Sequence, residues 1–450
     1  MAGAVTLASI MAVTTAGADD NTFIVTTLAD ETGSCTSESC SLRQAVGAAN
    51  QIQQATEIIF DSELSGTLEL EHGSINFNNG RTTITGPGSD RVTIDAGGQS
   101  RIFNVTFGQG VSRLTLSGLR LVNGDAGDGN GGAVRFSYLL ELDDVVIENS
   151  TAAWGGAVAS FSTYYGSSTL EMKSSVARNN SADFAGALHS IQVFIEDSLI
   201  AGNYARGSRG GVSTSFADIR NSTISGNHAE FDLDVFSNDF FFRSEWETGG
   251  GGVRANAAVL KNSTISGNYS RLWGGGIGVV RSLTATNSTI VNNSANSING
   301  GGINTYNSTQ SQYRIELNNT IVANNTAANE DRSDLRATFV TIDYSLIGIV
   351  EDDLEEALED RGNLWGSAEE PLDPLLQPLA DNGGLTPTHA LGSNSPAFNA
   401  GDPDFEGPPF QDQRGLGFHR IGFGRIDIGA YEFQQDVLFH DRFIDSDEDP

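Results

Sequence analysis

The sequence predicts an all-β fold, a parallel β-helix whose coils each contribute three short strands. The first observation is a repeat, because the heptad Asn-Ser-Thr-Ile-Ser-Gly-Asn at 221–227 returns at 262–268 and, with changes, at 287–293. The second is its period, since the last heptad residue aligns over copies about 24 residues apart, some lengthened by an insertion. These residues are Ser150, Asn180, Asn203, Asn227, Asn268, Asn293 and Asn325.

The third observation is that this alignment places like residues in columns, as stacked coils require. Three inward columns are expected: Leu142, Met172, Ile195, Ile219, Leu260, Ala285 and Leu317; Ile147, Ala177, Ile200, Ile224, Ile265, Ile290 and Val322; and Val134, Val158, Leu188, Val212, Val253, Ile277 and Ile303. Each lies in a short run rich in Ile, Val and Thr, which is typical of strands. A leucine-rich repeat shares the period but requires a Leu-rich skeleton that this chain lacks.

Two further patterns follow the coils. Glycine pairs such as Gly155 and Gly156 precede the third column, and we expect them at corners where a Cβ would obstruct the backbone. The later members of a polar column are expected to form an amide ladder along the solenoid. That column contains Asp144, Ser174, Asp197, Asn221, Asn262, Asn287 and Asn319.

Residues 1–18 have the pattern of a secretory signal peptide. Residues 2–13 are apolar, and Ala16, Gly17 and Ala18 form a small-residue cleavage site. No other segment approaches the roughly 18 uninterrupted apolar residues that a spanning helix needs. We therefore expect a secreted or surface-exposed protein without a membrane span.

Cys35 and Cys40 are the only two cysteines of the chain. In the oxidising environment that export implies, a short-loop disulfide is the favoured interpretation. Metal binding is the alternative, but two thiols without nearby histidines or further cysteines do not complete a tetrahedral site. Closing so short a loop stabilises by about 2 kcal/mol or less, so the disulfide should fix a local turn.

A solenoid needs a cap at each end of its core. The capping-box pattern from Ser41 to Gln44 predicts a short amphipathic helix within an N-terminal cap at 19–57. The β-helix is expected over 58–350, followed by an acidic linker or helix at 351–361. Most of the prolines then gather in a small C-terminal domain at 362–434, and 435–450 forms an acidic tail.

Two segments resemble known families of bacterial surface proteins. Residues 371–391, together with 395–402, 412–415 and 427–432, resemble the choice-of-anchor Q domain, with Asn399 where that family usually has Asp. The segment from Cys40 to Ala45 is similar to the Cys-Ser-Leu-Arg-Glu-Ala motif domain that often accompanies it, with Gln44 replacing Glu. The resemblance implies a right-handed, pectate-lyase-like β-helix between them. It also implies export and attachment to the cell surface or outer membrane, and it carries no established catalytic residue.

The charge balance excludes a nucleic-acid partner. The chain of 450 residues has 57 acidic and 25 basic residues, a formal net charge of -32, and only Lys173 and Lys261 as lysines. Most of this charge is expected to keep an elongated, monomeric extracellular protein soluble. No dedicated cofactor site is predicted, although an acidic surface is compatible with loosely bound calcium.

An enzyme of the polysaccharide lyase or glycoside hydrolase type is one hypothesis. A hydrolase needs two carboxylates about 5 to 9.5 Å apart, and coils stack about 4.8 Å apart, so Glu141 and Glu171 are a candidate pair. The next outward column contains Asp143, Lys173, Glu196, Arg220 and Lys261. Its near-alternating signs predict ion pairs between coils, which favours a structural role over catalysis. No Ser/His/Asp or Cys/His constellation is visible.

Binding of a polysaccharide or cell-surface protein is the favoured hypothesis. Coils are interrupted by loops rich in aromatic residues, which suit sugar faces or protein partners. The candidate ligand contacts are Tyr164, Tyr165, Phe240, Phe241 and Trp246. The structural alternative is that these rings fold back over neighbouring coils. The sequence thus predicts an adhesin or other extracellular binding protein, with a polysaccharide-cleaving enzyme as the alternative.

Overall fold

The structure is a computed structural model. It describes residues 21–434 except 53, 79, 106–111, 162–167, 233–234, 236–248, 298–299, 306–313, 329–332 and 360. The predicted signal peptide and acidic tail lie outside the described residues. None of the described helices is long and apolar enough to cross a membrane.

The described residues contain helix α1 (Leu42–Ala49), a 3-10 helix (Asp352–Ala357) and 34 strands. The strands are β1 (Thr22–Val25), β2 (Thr56–Phe60), β3 (Gly66–Glu69), β4 (Ile75–Phe77), β5 (Arg81–Thr85), β6 (Val92–Asp95), β7 (Phe103–Val105), β8 (Arg113–Val122), β9 (Val134–Phe136), β10 (Leu139–Glu148), β11 (Thr151–Trp154), β12 (Val158–Ser160), β13 (Thr169–Lys173), β14 (Val176–Arg178), β15 (Ser181–Phe184), β16 (Leu188–Glu196), β17 (Leu199–Ala201), β18 (Tyr204–Ser208), β19 (Val212–Arg220), β20 (Thr223–Ser225), β21 (His228–Ala229), β22 (Val253–Lys261), β23 (Thr264–Ser266), β24 (Tyr269–Ser270), β25 (Ile277–Thr286), β26 (Thr289–Val291), β27 (Ser294–Ala295), β28 (Ile303–Thr305), β29 (Ile315–Asn318), β30 (Ile321–Ala323), β31 (Leu335–Arg336), β32 (Val340–Asp343), β33 (Leu346–Ile347) and β34 (Leu364–Trp365).

The strands form a parallel β-solenoid. In the part of the chain that the structure describes, a main sheet contains 28 strands and a second sheet contains six, namely β11, β15, β18, β21, β24 and β27. In a central coil, β16 and β17 join the main sheet and β18 joins the second sheet. The sequence-based prediction of a parallel β-helix with three strands per central coil is therefore confirmed.

The strand register confirms the three predicted inward columns. Leu142 pairs with Met172, Ile147 with Ala177, and Val134 with Val158, and the same pairing continues along the solenoid. Their side chains belong to the main hydrophobic core and are almost fully buried. A fourth inward column, which the sequence-based alignment missed, belongs to the second sheet and consists mainly of small residues: Ala152, Ala182, Ala205, Ala229, Ser270 and Ala295.

The amide ladder exists, but the prediction placed it in the wrong column. Asn262 donates instead to the carbonyl oxygen of Gln411, and neither side-chain polar atom of Asn287 has a hydrogen-bond partner among the described residues. This column lies at turns with positive φ, and the side chains of Asn262 and Asn319 contact the C-terminal segment. The observed ladder is formed by the residues that end the heptads. Within it, each Nδ2 donates to the Oδ1 of the next asparagine, as from Asn203 to Asn227 at 2.8 Å.

Residues 30–49 contact the first strands at the N-terminal end of the solenoid. Ser41 and Gln44 form the predicted capping box at the start of α1, which contacts β1, β2 and β4. Arg43 binds both carboxylate oxygens of Asp30 and the carbonyl oxygens of Gly73 and Ser74. The predicted disulfide between Cys35 and Cys40 is present in the preceding loop.

At the other end, the acidic segment contributes to the core. Leu358 follows the 3-10 helix Asp352–Ala357 and is fully buried, with Leu354 nearly so, and both belong to the main core. Strand β34 still pairs with β33. The segment 371–434 then lies along the outside of the solenoid, against β20, β23, β26 and β30. The domain boundaries proposed from the sequence stay predictions.

Candidate functional site

The outer face of the main sheet carries a groove of about 470 Å³. It is lined by residues of β8, β10, β13, β16 and β19, which belong to successive coils. Side chains alternate between the two faces of a strand, so the residues beside the inward Leu142, Met172 and Ile195 point into the groove. With a strand spacing of about 4.8 Å, the groove extends about 19 Å along the solenoid.

Two outward columns supply its polar and aromatic groups. The first contains Thr115, Glu141, Glu171, Phe194 and Asp218. The second contains Asp143, Lys173, Glu196 and Arg220. Phe194 is the groove's aromatic side chain, and its ring centroid is 6.0 Å from that of Phe216 on the next coil. The register therefore places a half-buried ring between Glu171 and Asp218.

Two of the carboxylates already have partners. The guanidinium group of Arg113 donates to both oxygens of Glu141 at 2.7 and 2.8 Å, and the hydroxyl of Thr115 donates to Glu141 at 2.6 Å. Arg220 binds both oxygens of Asp218, at 2.8 and 2.7 Å. The hydrogen bonds to Asp218, and then the charges of Asp218 and Glu196, raise the pKa of Arg220. These pairs leave Glu141 and Asp218 with fixed orientations.

The remaining charges of the groove are exposed. Asp143, Glu171, Lys173 and Glu196 make no ion pair with any residue that the structure describes. Between coils of this column the charges interact without an ion-pair contact, since the charge of Glu196 helps to raise the pKa of Arg220. Arg220 makes its ion pair with Asp218, two residues earlier on its own strand, which the alternating pattern did not predict.

This arrangement suits the recognition of a polar ligand with apolar faces. An aromatic ring in the floor offers an apolar surface, and carboxylates beside it accept hydrogen bonds from hydroxyl or amino groups. In the described part of the chain, no group of three or more His, Cys, Asp or Glu side chains has a geometry that could hold a metal ion. The groove therefore presents hydrogen-bonding and charged groups, with Phe194 as its aromatic contact.

The five predicted ligand contacts, Tyr164, Tyr165, Phe240, Phe241 and Trp246, all lie outside the described residues. Near Tyr164 and Tyr165 in sequence, the structure describes Phe161, which has an exposed ring. The centroid of this ring lies 3.8 Å from the guanidinium carbon of Arg135. Glu141 and Glu171 occupy adjacent positions of one column, as predicted. Sequence reasoning missed Phe194 and Asp218, although the same alignment places them in the column of Glu141.

No histidine that the structure describes lines this groove. Burial, and then the charge of Arg209, lower the pKa of His189 to about 4, and its ring lies against Trp154. His228 stacks between Tyr204 and Tyr269 and binds Glu230 at 2.8 Å. His389 lies in the C-terminal segment and binds the hydroxyl of Ser266. None of the three lines the groove.

No family model and no curated protein matches the chain. Among solved structures, it is similar to pectate lyase Pel9A, with 14% sequence identity and a TM-score of 0.45, over 93% of this chain and 98% of that chain. It is also similar to the PL6 family alginate lyase AlyGC, with 15% identity and a TM-score of 0.31, over 93% of this chain and 60% of that chain. At this level of similarity, the activities of these lyases are not transferred to the chain.

Proposed function

We propose that the protein is a secreted or surface-exposed glycan-binding protein and that the groove on the main sheet is its binding site. The observation that carries this proposal is the position of Phe194 between Glu171 and Asp218 in one outward column. The ring would contact the apolar face of a sugar, while the carboxylates would accept hydrogen bonds from its hydroxyl groups. Such a surface serves adhesion without chemical change to the ligand.

Export and surface attachment are part of the same proposal. The disulfide between Cys35 and Cys40 is consistent with an oxidising compartment. The resemblance of the C-terminal segment to the choice-of-anchor Q domain supports a location at the bacterial surface. We also propose a right-handed solenoid, with α1 as the cap of its N-terminal end. Four apolar residues of α1 (Leu42, Ala45, Val46 and Ala49) belong to the main core, which supports that role.

Binding is favoured over polysaccharide cleavage by the state of Glu141. General acid or base catalysis needs a carboxyl group that is free to exchange a proton with the substrate. Both oxygens of Glu141 are instead occupied by Arg113, and Thr115 adds a third hydrogen bond. Within its own column, Glu171 then has no free carboxylate beside it, because its two neighbours are Glu141 and Phe194. Cleavage remains the alternative function and is tested together with binding.

The test is a screen of the purified protein against neutral and charged polysaccharides, with and without Ca²⁺. We expect binding, with neither unsaturated products nor new reducing ends. Either product would establish the enzymatic alternative.

Phe194→Ala should then weaken binding about tenfold or more, because it removes the aromatic contact. Trp246→Ala tests the competing prediction that the loop aromatics contact the ligand. A loss of affinity only in Trp246→Ala would move the site away from the groove.

A further inference from the structure

This inference rests on the proposed function, in which the groove is the glycan-binding site. The charged side chains of the groove then determine which class of glycan it binds. Asp143, Glu171 and Glu196 are exposed carboxylates without an ion-pair partner among the described residues, and Lys173 is the only cation of the groove in the same condition. Arg220 is held by Asp218. The charges available to a ligand are therefore three carboxylates and one ammonium group, which gives a negative surface.

The whole molecule strengthens this bias, because its formal net charge is -32. A polyanionic glycan would approach a negative groove on a negative protein, which is unfavourable without a bridging cation. A glycan with ammonium groups would be attracted, and each ammonium group could donate to a carboxylate in a charge-assisted hydrogen bond.

The shape of the groove indicates the direction in which a bound glycan would lie. Its lining residues come from five successive coils, so it extends parallel to the solenoid axis. Glu171 and Phe194 occupy adjacent coils in one column, and Lys173 and Glu196 occupy the same coils in the other. A sugar unit of an extended chain advances by a length similar to the strand spacing of about 4.8 Å. Successive sugars can thus meet successive coils.

We propose that the groove binds an extended amino-sugar glycan with free amino groups, parallel to the solenoid axis, with Phe194 contacting a sugar face and Asp143, Glu171 and Glu196 pairing with its ammonium groups. A glucosamine oligomer is the simplest ligand of this class. Lys173, which lies between Asp143 and Glu196 in its column, limits the number of ammonium groups that the groove accepts.

The test is calorimetric titration of the full chain with four probes: a glucosamine tetramer, its N-acetylated counterpart, a galacturonate tetramer and an oligolysine. The titrations are carried out at about pH 5.5, below the pKa of an ordinary amino group, so that the ligand is charged. We expect the glucosamine tetramer to bind about tenfold more tightly than the N-acetylated one, with an advantage that shrinks as added salt screens the charges. The galacturonate tetramer should bind most weakly.

Variants assign the effect to the groove. Glu171→Gln should weaken glucosamine binding about threefold and the N-acetylated tetramer less, because it removes one exposed charge and keeps a hydrogen-bond acceptor. Glu57→Gln is the matched control, since Glu57 is an exposed residue of the same column outside the groove, and it should change neither affinity. Phe194→Ala should weaken both tetramers.

The outcomes distinguish this inference from the function on which it rests. Equal affinity for the two tetramers, or preference for galacturonate, overturns the amino-sugar class while leaving a glycan-binding groove. Oligolysine binding that matches glucosamine binding and is insensitive to Phe194→Ala would show a site for cationic peptides instead. If no glycan binds and the oligolysine does not bind, both the inference and the proposed function fail.

Discussion

Buried amides and one buried carboxyl group fix the interior of the solenoid at the scale of single residues. Five asparagines of the ladder are fully or almost fully buried, and the side-chain amide of each donates a hydrogen bond to the next coil. They are Asn180, Asn203, Asn227, Asn268 and Asn293. Asp334 follows Asn325 and ends the ladder. It accepts hydrogen bonds from the backbone and side-chain amides of Asn325, at 2.9 and 2.8 Å, and from the backbone amide of Ile349 at 2.8 Å.

Asp334 makes stability depend on pH. Burial raises its pKa from 3.8 to about 7, although its hydrogen bonds oppose the shift. Because the folded-state pKa lies above the unfolded one, the stabilisation is complete below about pH 3.8 and is lost as the pH rises through about 7. In the variant Asp334→Asn, the side chain at this position is an amide and does not titrate. Urea unfolding at about pH 5 and pH 8 should show the wild type losing more stability than this variant.

The control for this comparison is Asp90→Asn, a change at an exposed aspartate. Its free energy of unfolding should change between the two pH values by the same amount as that of the wild type. Parallel pH dependence of the wild type and Asp334→Asn would show that Asp334 is ionised in the folded protein throughout this range.

At the scale of elements, the corners are set by backbone contacts between coils. A Cβ on Gly156 would lie 2.4 Å from the carbonyl oxygens of both Gly186 and Ser181, which belong to the neighbouring coil. The glycine pairs therefore allow coils to stack closely where the strands turn, as the sequence pattern predicted.

Gly156→Ala should lower the free energy of unfolding by about 2 to 4 kcal/mol, because backbone atoms must move to admit the methyl group. Gly47→Ala is the control. Gly47 lies in α1 with open space where its Cβ would be, so this change should be neutral or stabilise by up to about 1 kcal/mol. Similar losses in both variants would exclude coil contact as the cause.

The C-terminal segment is bound to the solenoid mainly through side chains that the repeat supplies. The amide nitrogen of Gln413 donates to the hydroxyl oxygens of Thr223 and Thr386 at 2.7 and 2.9 Å, and the hydroxyl of Thr264 donates to its amide oxygen at 2.6 Å. Thr223 and Thr264 are equivalent positions of adjacent coils. A buried amide thus joins two coils to the segment.

Gln413→Ala should expose residues 371–434 to hydrogen exchange while the solenoid strands keep their protection. The change removes the acceptor of the buried Thr264 hydroxyl and the hydrogen bonds that Thr223 and Thr386 accept, which costs about 2 to 3 kcal/mol of docking free energy. Asn394→Ala, at an exposed amide of the same segment, should leave exchange unaltered. Uniform loss of protection over the chain would mean that the segment and the solenoid unfold as one unit.

At the scale of the whole molecule, the repeat made most of the solenoid predictable. Inward columns such as that of Ile219 and Leu260 follow directly from stacking, because one register fixes every coil. The contacts of the C-terminal segment were not predictable, since they join Gln413 to Thr223 across 190 positions of sequence without a shared pattern. The ladder was misplaced because the alignment gives columns but not the turn conformation of Asn262 or Asn287.

The candidate site was only partly predictable for the same reason. The columns of Glu141 and Asp143 follow from the register, whereas the partners of charged groups depend on side-chain reach. Arg220 shows this, because it pairs within its own strand. The C-terminal segment contacts β20, β23, β26 and β30, none of which lines the groove. The groove and the docking surface of the segment are thus different parts of the solenoid.

A crystal structure of the protein with a bound glucosamine oligomer tests the proposed site directly. We expect a sugar chain parallel to the solenoid axis, with a ring on Phe194 and amino groups within hydrogen-bond distance of Glu171 or Glu196. An oligomer bound elsewhere, with the groove empty, would contradict it.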